Sequence, residues 1–409
     1  MRLILLFGFS SGLPLLLTDS TLQARLAEQG TSLGAIGLFT LVGLPYTLKF
    51  LWAPLLDRYA WPFLGRRRGW AVVAQGVLAG LIALMAVPAV FANPAVLGVV
   101  ALSVAFASAT QDIVVDAYRV DALPPEARGA GAAAIVLGYR VAMLTSGGLA
   151  LVVADVAGWV VAYGLMAACM LVGLVASALA REPVSSPPAS LSVALSGPVR
   201  ALLSRQGAVG LLLLVVLYKL GDTAANALTT AFLLRGVGFP LAVVGAFNAG
   251  WGLALSIGGA VTGGLVLARW PLVRALFVFG VLQALTNLLF LWLALAGPSY
   301  PRLALVIGTE QFVGGLGTAA FVALLTALCA RRFSATQYAL LSALAAQGRV
   351  LAGPPGGMLA EAAGWPAFFV ATALAALPGL WLVVRHREAI AALDREADDD
   401  RPRVEEPLS

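Results

Sequence analysis

The sequence predicts an all-α membrane protein of twelve transmembrane helices, arranged as two six-helix pseudo-symmetric bundles. Three observations lead there. The composition is too apolar for a water-soluble surface, twelve apolar runs have spanning length, and a repeat relates the two halves of the chain.

Of 409 residues, 60% are hydrophobic and only 11% are charged, whereas a soluble domain carries about 25% charged residues. So little charge cannot cover a globule with polar surface, so lipid must be the main solvent. The net charge is +6 and the pI is near 9.7. In a soluble protein that balance suggests nucleic acid. Here the basic residues fall in short loops between apolar runs, so they set topology and no nucleic-acid partner is expected. Cys169 and Cys329 both lie inside apolar runs. No disulfide, metal site or cofactor is expected. Met1-Arg2 followed by Leu3 to Leu17 has the look of a secretion signal. No small-residue cleavage site follows it and similar segments recur, so it is read as the first span.

A spanning helix needs about 20 mostly apolar residues. The qualifying runs are 3–26, 34–56, 69–92, 95–119, 129–154, 158–180, 208–234, 240–268, 271–296, 302–329, 336–362 and 365–385. Hydrocarbon leaves no partner for free backbone N–H and C=O groups, so each run must be helical. With the N-terminus inside, nineteen Lys and Arg residues fall in cytoplasmic segments, and three (Arg25, Arg235, Arg302) in outside loops. That asymmetry predicts that both termini are cytoplasmic. Residues 181–207 carry Pro183, Pro187, Pro188 and Pro198. They predict a linker between an N-terminal bundle (1–180) and a C-terminal bundle (208–385), with a surface helix near Leu191 to Leu203. Residues 386–409 are dense in charge and predict a disordered cytoplasmic tail.

The repeat has an offset near 208. Gly138-Tyr139-Arg140, followed by Gly147-Gly148, matches Gln347-Gly348-Arg349, followed by Gly356-Gly357, with seven residues from Arg to Gly in both. Leu33, Gly37 and Phe39 match Leu241, Gly245 and Phe247, and Gly158-Trp159 matches Gly364-Trp365. Two six-helix units in parallel repeat resemble the major facilitator architecture. In that architecture the substrate lies near the midplane and the halves rock around it.

The segment APLLDRYAWPFLGRRRGW, residues 53–70, resembles the facilitator signature loop: an Asp after a small-residue helix, then Gly and a basic cluster. Asp57 and Arg58 are expected to gate by pairing with neighbouring helix ends, while Arg66 to Arg68 can also serve topology alone. Several long stretches are similar to the AmpG muropeptide permease family. They include FGFSSGLPLLLTDSTLQARL (7–26), SATQDIVVDAYRVDALPPEARGAGAA (108–133), VLGYRVAMLTSGGLAL (136–151), VLYKLGDTAANALTTAFLLRGVGF (216–239) and FSATQYALLSALAAQGRV (333–350). The similarity covers roughly residues 1–385. It implies import of anhydromuropeptides (GlcNAc-anhydroMurNAc peptides) across the bacterial inner membrane by proton symport. It implies a role in peptidoglycan recycling and, through it, in β-lactamase induction and antibiotic resistance. The expected partners are this small-molecule substrate, protons and the lipid bilayer, and the expected state is a monomer.

Charged side chains at depth are costly and usually face a cavity or a partner. The candidates are Asp19, Lys49, Asp112, Asp116, Arg140, Lys219, Asp222, Glu310 and Arg349. Arg140 and Arg349 occupy equivalent repeat positions at mid-span. A guanidinium donates two parallel hydrogen bonds to a carboxylate, so substrate binding is expected of both; holding a neighbouring Asp is the plainer role. Gln111 and Asp112 are expected to join them. Asp116 and Arg119 lie three apart near the cytoplasmic end and are expected to form a gating pair. Lys219 and Asp222, also three apart, can meet on one helix face. Proton coupling is expected of Asp222, Asp112, Lys219 and Glu310, with Arg140 a plausible cation for Asp112. The single histidine, His386, follows the last span, which excludes an intramembrane histidine relay. Two further transporter readings stand beside this one: another anionic substrate, such as an acetyl-CoA-like compound, or a transporter-like sensor. A membrane enzyme would need a nucleophile, metal or phosphate-binding motif. No H-E-x-x-H, Walker loop or Cys/His pair is present.

Overall fold

The computed structural model describes residues 1–61, 64–122, 128–183, 203, 207–328 and 334–399; for Asp57, Arg58 and Arg349 it describes the backbone alone. The linker expected over 181–207 therefore lies mostly outside the described residues.

Among the described residues, eleven helical stretches are long and apolar enough to cross a membrane. They are α1 (Arg2–Glu28), α2 (Leu33–Leu51), α3 (Arg67–Met85), α4 (Pro94–Arg119), α5 (Ala134–Ala157), α6 (Trp159–Leu179), α7 (Ala208–Val237), α8 (Leu241–Leu267), α9 (Leu272–Ala296), α10 (Tyr300–Leu328), and a stretch of 46 residues, Leu340–Arg385. Forty-six helical residues would extend roughly 69 Å, about twice the hydrocarbon thickness. The backbone leaves the helical region at Gly364, where φ is +79°. Two spans meet there, α11 (residues 334–363) and α12 (365–385), and the crossings number twelve as expected. Gly158, between α5 and α6, has φ +85°. The repeated Gly-Trp pair thus marks the same left-handed turn in both halves, a conformation glycine adopts without strain.

Helices α1 to α6 pack among themselves: α1 lies against α5, and α3 against α4 and α6. In the second half α8 and α9 lie against α10, and Gly221 of α7 approaches the Thr372 carbonyl of α12. Between the halves, α2 meets α11 and α5 meets α8. Glycines make these seams. A Cβ on Gly37 would come within 2.4 Å of the Gly353 carbonyl, and one on Gly357 within 2.4 Å of the Leu33 carbonyl. Polar contacts also join the halves, two along this seam and a third from α7 to the segment between α1 and α2. Thr40 Oγ1 donates to the Val350 carbonyl at 3.1 Å, the Gly34 amide donates to Glu361 at 2.8 Å, and Arg235 donates to the Thr31 carbonyl. All of these lie on the side of the membrane opposite the termini, so the halves close together there. Gly357→Val should wedge that seam open. Overpacking against backbone costs about 1–3 kcal/mol, enough to shift a two-state equilibrium by roughly 5- to 150-fold. Cysteine labelling of cavity positions from that side should rise and transport should fall. Unchanged labelling would show that the seam does not control closure.

The basic loop does more than set topology. Gly65, at φ +83°, turns the chain into α3. The Glu182 carboxylate accepts from the amides of Arg66, Arg67 and Arg68 at 2.9, 2.8 and 2.7 Å. An anion is favoured there because a helix N-terminus presents free N–H groups. Arg67 Nε bonds Asp121 at 2.9 Å, and Arg68 donates to the Ser177 and Ala178 carbonyls that end α6. The cluster ties α3 to the ends of α4 and α6. Asp57 and Arg58 sit on the helix Ala53–Arg58 that prolongs α2, with their side chains outside the described residues.

Two expectations need correction. Arg25, expected in an outside loop, is only 4% exposed within α1. Its guanidinium lies 3.0 Å from the Phe91 ring centroid and donates to the Met85 carbonyl at 3.1 Å; the ring face and the carbonyl offset its burial. The tail expected to be disordered from residue 386 instead begins as a helix, α13 (Arg387–Asp399). Ile390 and Leu393, three apart, bury one face against Leu211, Leu272 and Leu328. Residues 400–409 lie outside the described residues.

Candidate functional site

Two broken helices shape the centre of the protein. Helix α1 is interrupted at Thr18–Asp19 and α7 at Tyr218–Lys219. The two breaks are not at repeat-equivalent positions, but each brings a charged residue, Asp19 or Lys219, to the cavity wall; transporters use broken helices to place polar backbone and charge within the membrane. Both open onto a cavity of about 410 Å³ lined by α1, α5, α7, α8 and α10. The first-half wall is largely apolar (Leu16, Met143, Leu144) and carries Arg140 and Asp19. The second-half wall is polar, with Lys219, Asp222, Asn226, Ser256, Glu310 and Gln311 among its residues.

Lys219, Asp222 and Asn226 recur at i, i+3 and i+7, which puts them on one face of α7. Lys219 Nζ bonds Asp222 Oδ2 at 3.2 Å and Thr318 Oγ1 of α10 at 3.3 Å. Asn226 Nδ2 donates to Asp222 Oδ1 and to Glu310 Oε1, each at 3.3 Å. The cluster thus joins α7 to α10 at two places. It holds one cation and two carboxylates. Glu310 is 5% exposed. Arg140, across the cavity, forms no ion pair with any described residue.

The structure brings Arg140, Lys219, Asp222 and Glu310 to one cavity, as well as Asp19. It does not bring Gln111 or Asp112 there. Gln111 is fully buried between α4 and α1, where Nε2 donates to Ser11 Oγ at 3.4 Å. Asp112 lies 4.0 Å from Lys49 of α2, not beside Arg140. It lines a separate cavity of about 150 Å³ with Ser11, Asp116 and Tyr139. The reason is helix rotation: equal depth on α4 and α5 does not make two side chains face each other. Asp116 and Arg119 pair at 3.7 Å within α4, with Asp116 exposed, so this pair alone bridges no two helices. The side chain of Arg349 lies outside the described residues; its backbone is in α11. Asn226 and Thr318 were not anticipated. Both are uncharged, and only the i+4 spacing of Asn226 from Asp222 signals the first.

The sequence pattern of the Major Facilitator Superfamily matches residues 3–309. The chain is 47% identical over 395 residues to the anhydromuropeptide permease of Escherichia coli K12, covering 95% of this chain and 80% of that one. It is 37% identical to an uncharacterized protein of Haemophilus influenzae, covering 91% of both. It is 31% identical to a putative AmpG transporter of Rickettsia felis, over 93% of this chain and 95% of the relative. Among solved structures, a POT family transporter in complex with a thioalcohol-conjugated peptide superposes with a TM-score of 0.74 at 13% identity, covering 95% and 96% of the two chains. The nucleoside transporter NupG gives 0.74 at 14% identity, covering 95% and 100%. These two likenesses concern the fold. A multi-pass helical chain with two matched halves, a central charged cavity and relatives of this closeness belongs to the Major Facilitator Superfamily and, within it, to the anhydromuropeptide permease family.

Proposed function

We propose that this protein imports anhydromuropeptides across the bacterial inner membrane for peptidoglycan recycling, coupled to protons, as a monomer with cytoplasmic termini and no cofactor. The observation that carries the substrate reading is Arg140, a cation with no ionic partner among the described residues, on a cavity wall opposite a polar wall. A sugar-peptide offers carboxylates to the guanidinium and hydroxyl and amide groups to Asn248, Ser256 and Gln311. A cavity of about 410 Å³ lies in the usual range for small-ligand pockets. The proton would ride on the α7–α10 cluster, where two carboxylates share one lysine. With the termini cytoplasmic, the closed α2–α11 and α5–α8 seams lie on the outer side, which supports a cavity that opens toward the cytoplasm.

The test is uptake of a labelled anhydromuropeptide into proteoliposomes with and without an imposed proton gradient. Accumulation that collapses on dissipating the gradient, and that unlabelled anhydromuropeptide but not acetyl-CoA suppresses, is the expected result. Suppression by acetyl-CoA alone would move the substrate to the nucleotide-linked class. Specific binding without any internal accumulation would favour a sensor.

A further inference from the structure

We propose that Asn226 is a positioning residue that couples a proton on Glu310 to the Lys219–Asp222 pair, by turning its side-chain amide as the proton comes and goes. The inference rests on proton-coupled transport and goes further, by naming the link between the titrating group and the helix contact.

The argument is one of donors and acceptors. A primary amide has two N–H donors and a carbonyl that accepts. Asn226 Nδ2 faces three acceptors: the Asp222 carbonyl at 3.1 Å, Asp222 Oδ1 at 3.3 Å and Glu310 Oε1 at 3.3 Å. Asn226 Oδ1 receives no hydrogen bond from any described residue. With Glu310 ionised, the amide serves both carboxylates through its N–H groups. A proton taken from water onto Glu310 makes that side chain a donor, and the idle Oδ1 is its nearest new acceptor on the same amide. To receive it the amide must turn, which takes N–H away from Asp222. Asp222 is then held by Lys219 alone, which also reaches Thr318 of α10. The α7–α10 contact thereby has two hydrogen-bond arrangements, selected by one proton, and release of that proton to water restores the first.

Charge balance places the proton on Glu310. Lys219 already neutralises Asp222, at 3.2 Å. Among the described residues, the other charged groups on the cavity wall are Arg140 of α5 and Asp19 of α1, while α8 contributes the uncharged Asn248 and Ser256. A second buried carboxylate without its own cation is strongly disfavoured as an ion in a membrane.

Infrared difference spectra of the full-length protein on acidification test this without substrate. An acid carbonyl band is expected in wild type and absent in Glu310→Gln. It should shift in Asn226→Leu and in Asn226→Ser, because the hydrogen-bond partner is gone, and return toward wild type in Asn226→Gln. In proteoliposomes, the ratio of proton-driven accumulation to gradient-free exchange of a labelled anhydromuropeptide should fall about tenfold in Asn226→Leu and Asn226→Ser, the scale of one lost hydrogen bond to a charged group, with a flattened pH profile. An unshifted band, or a ratio and pH profile like wild type in both variants, overturns the proposal. So does a parallel fall of accumulation and exchange at constant ratio, which would mark Asn226 as a spacer. If wild type takes up no anhydromuropeptide, the substrate reading fails by itself, and the infrared band still decides the role of Asn226.

Discussion

Arg140→Ala is expected to reduce anhydromuropeptide uptake about 10- to 100-fold, mainly by weakening binding. A hydrogen bond to a charged group contributes about 1.5–3 kcal/mol, and each 1.4 kcal/mol is about tenfold. Arg140 can give more than one such bond, because its planar fork matches a carboxylate. It also forms no ion pair with any described residue, so among these its removal strands no carboxylate and the loss should appear in transport more than in stability. Arg140→Lys should be intermediate, since an ammonium keeps the charge and loses the fork. The measurement is initial uptake rate against substrate concentration, at matched amounts of protein in the membrane. An analogue with its carboxylates amidated provides the cycle: if Arg140 reads a carboxylate, the variant and the analogue should not lose additively. Wild-type kinetics in Arg140→Ala would remove this residue from the binding surface and leave the polar wall of α7, α8 and α10 to account for recognition.

How much of this was legible in the sequence depends on whether a physical requirement leaves a mark at single residues. The spans did, because lipid demands long apolar runs. The repeat did at Gly158 and Gly364, because a left-handed turn at φ +85° and +79° favours glycine in both halves. The Arg66 to Arg68 cluster was visible, but its tie to Glu182 was not, since that bond uses backbone amides across 114 to 116 residues of sequence. Depth was legible and azimuth was not. Arg140 and Asp112 have similar expected depth, yet Asp112 turns toward Lys49. Gln111 shows the same limit, as it is buried between helices. The helix Arg387–Asp399 was hidden because its charges outweigh the two apolar residues that anchor it. Asn226 escaped notice for a simpler reason: a survey of intramembrane charges passes over the neutral amide that links them.

Glu310→Gln is expected to abolish proton-driven accumulation while gradient-free exchange persists. Glutamine has nearly the shape of a protonated glutamic acid and cannot be ionised, so it holds the cluster in the proton-loaded charge state, with Lys219 balanced by Asp222. Substrate can then equilibrate across the membrane, but an imposed gradient has nothing to act on, and internal substrate should not exceed external. Asp222→Asn separates this from the alternative carrier. It removes the partner of Lys219, whose side chain is only 15% exposed. Breaking a buried pair in this way typically costs about 3–5 kcal/mol, so the expected signature is lost thermal stability and reduced protein in the membrane. The two substitutions therefore predict different readouts from carboxylates joined through one asparagine. If Glu310→Gln still accumulates substrate under a proton gradient, while Asp222→Asn is well folded and uncoupled, the proton rides on Asp222. In that case Lys219 must move away from Asp222 during the cycle, and the 3.2 Å contact is the bond that breaks.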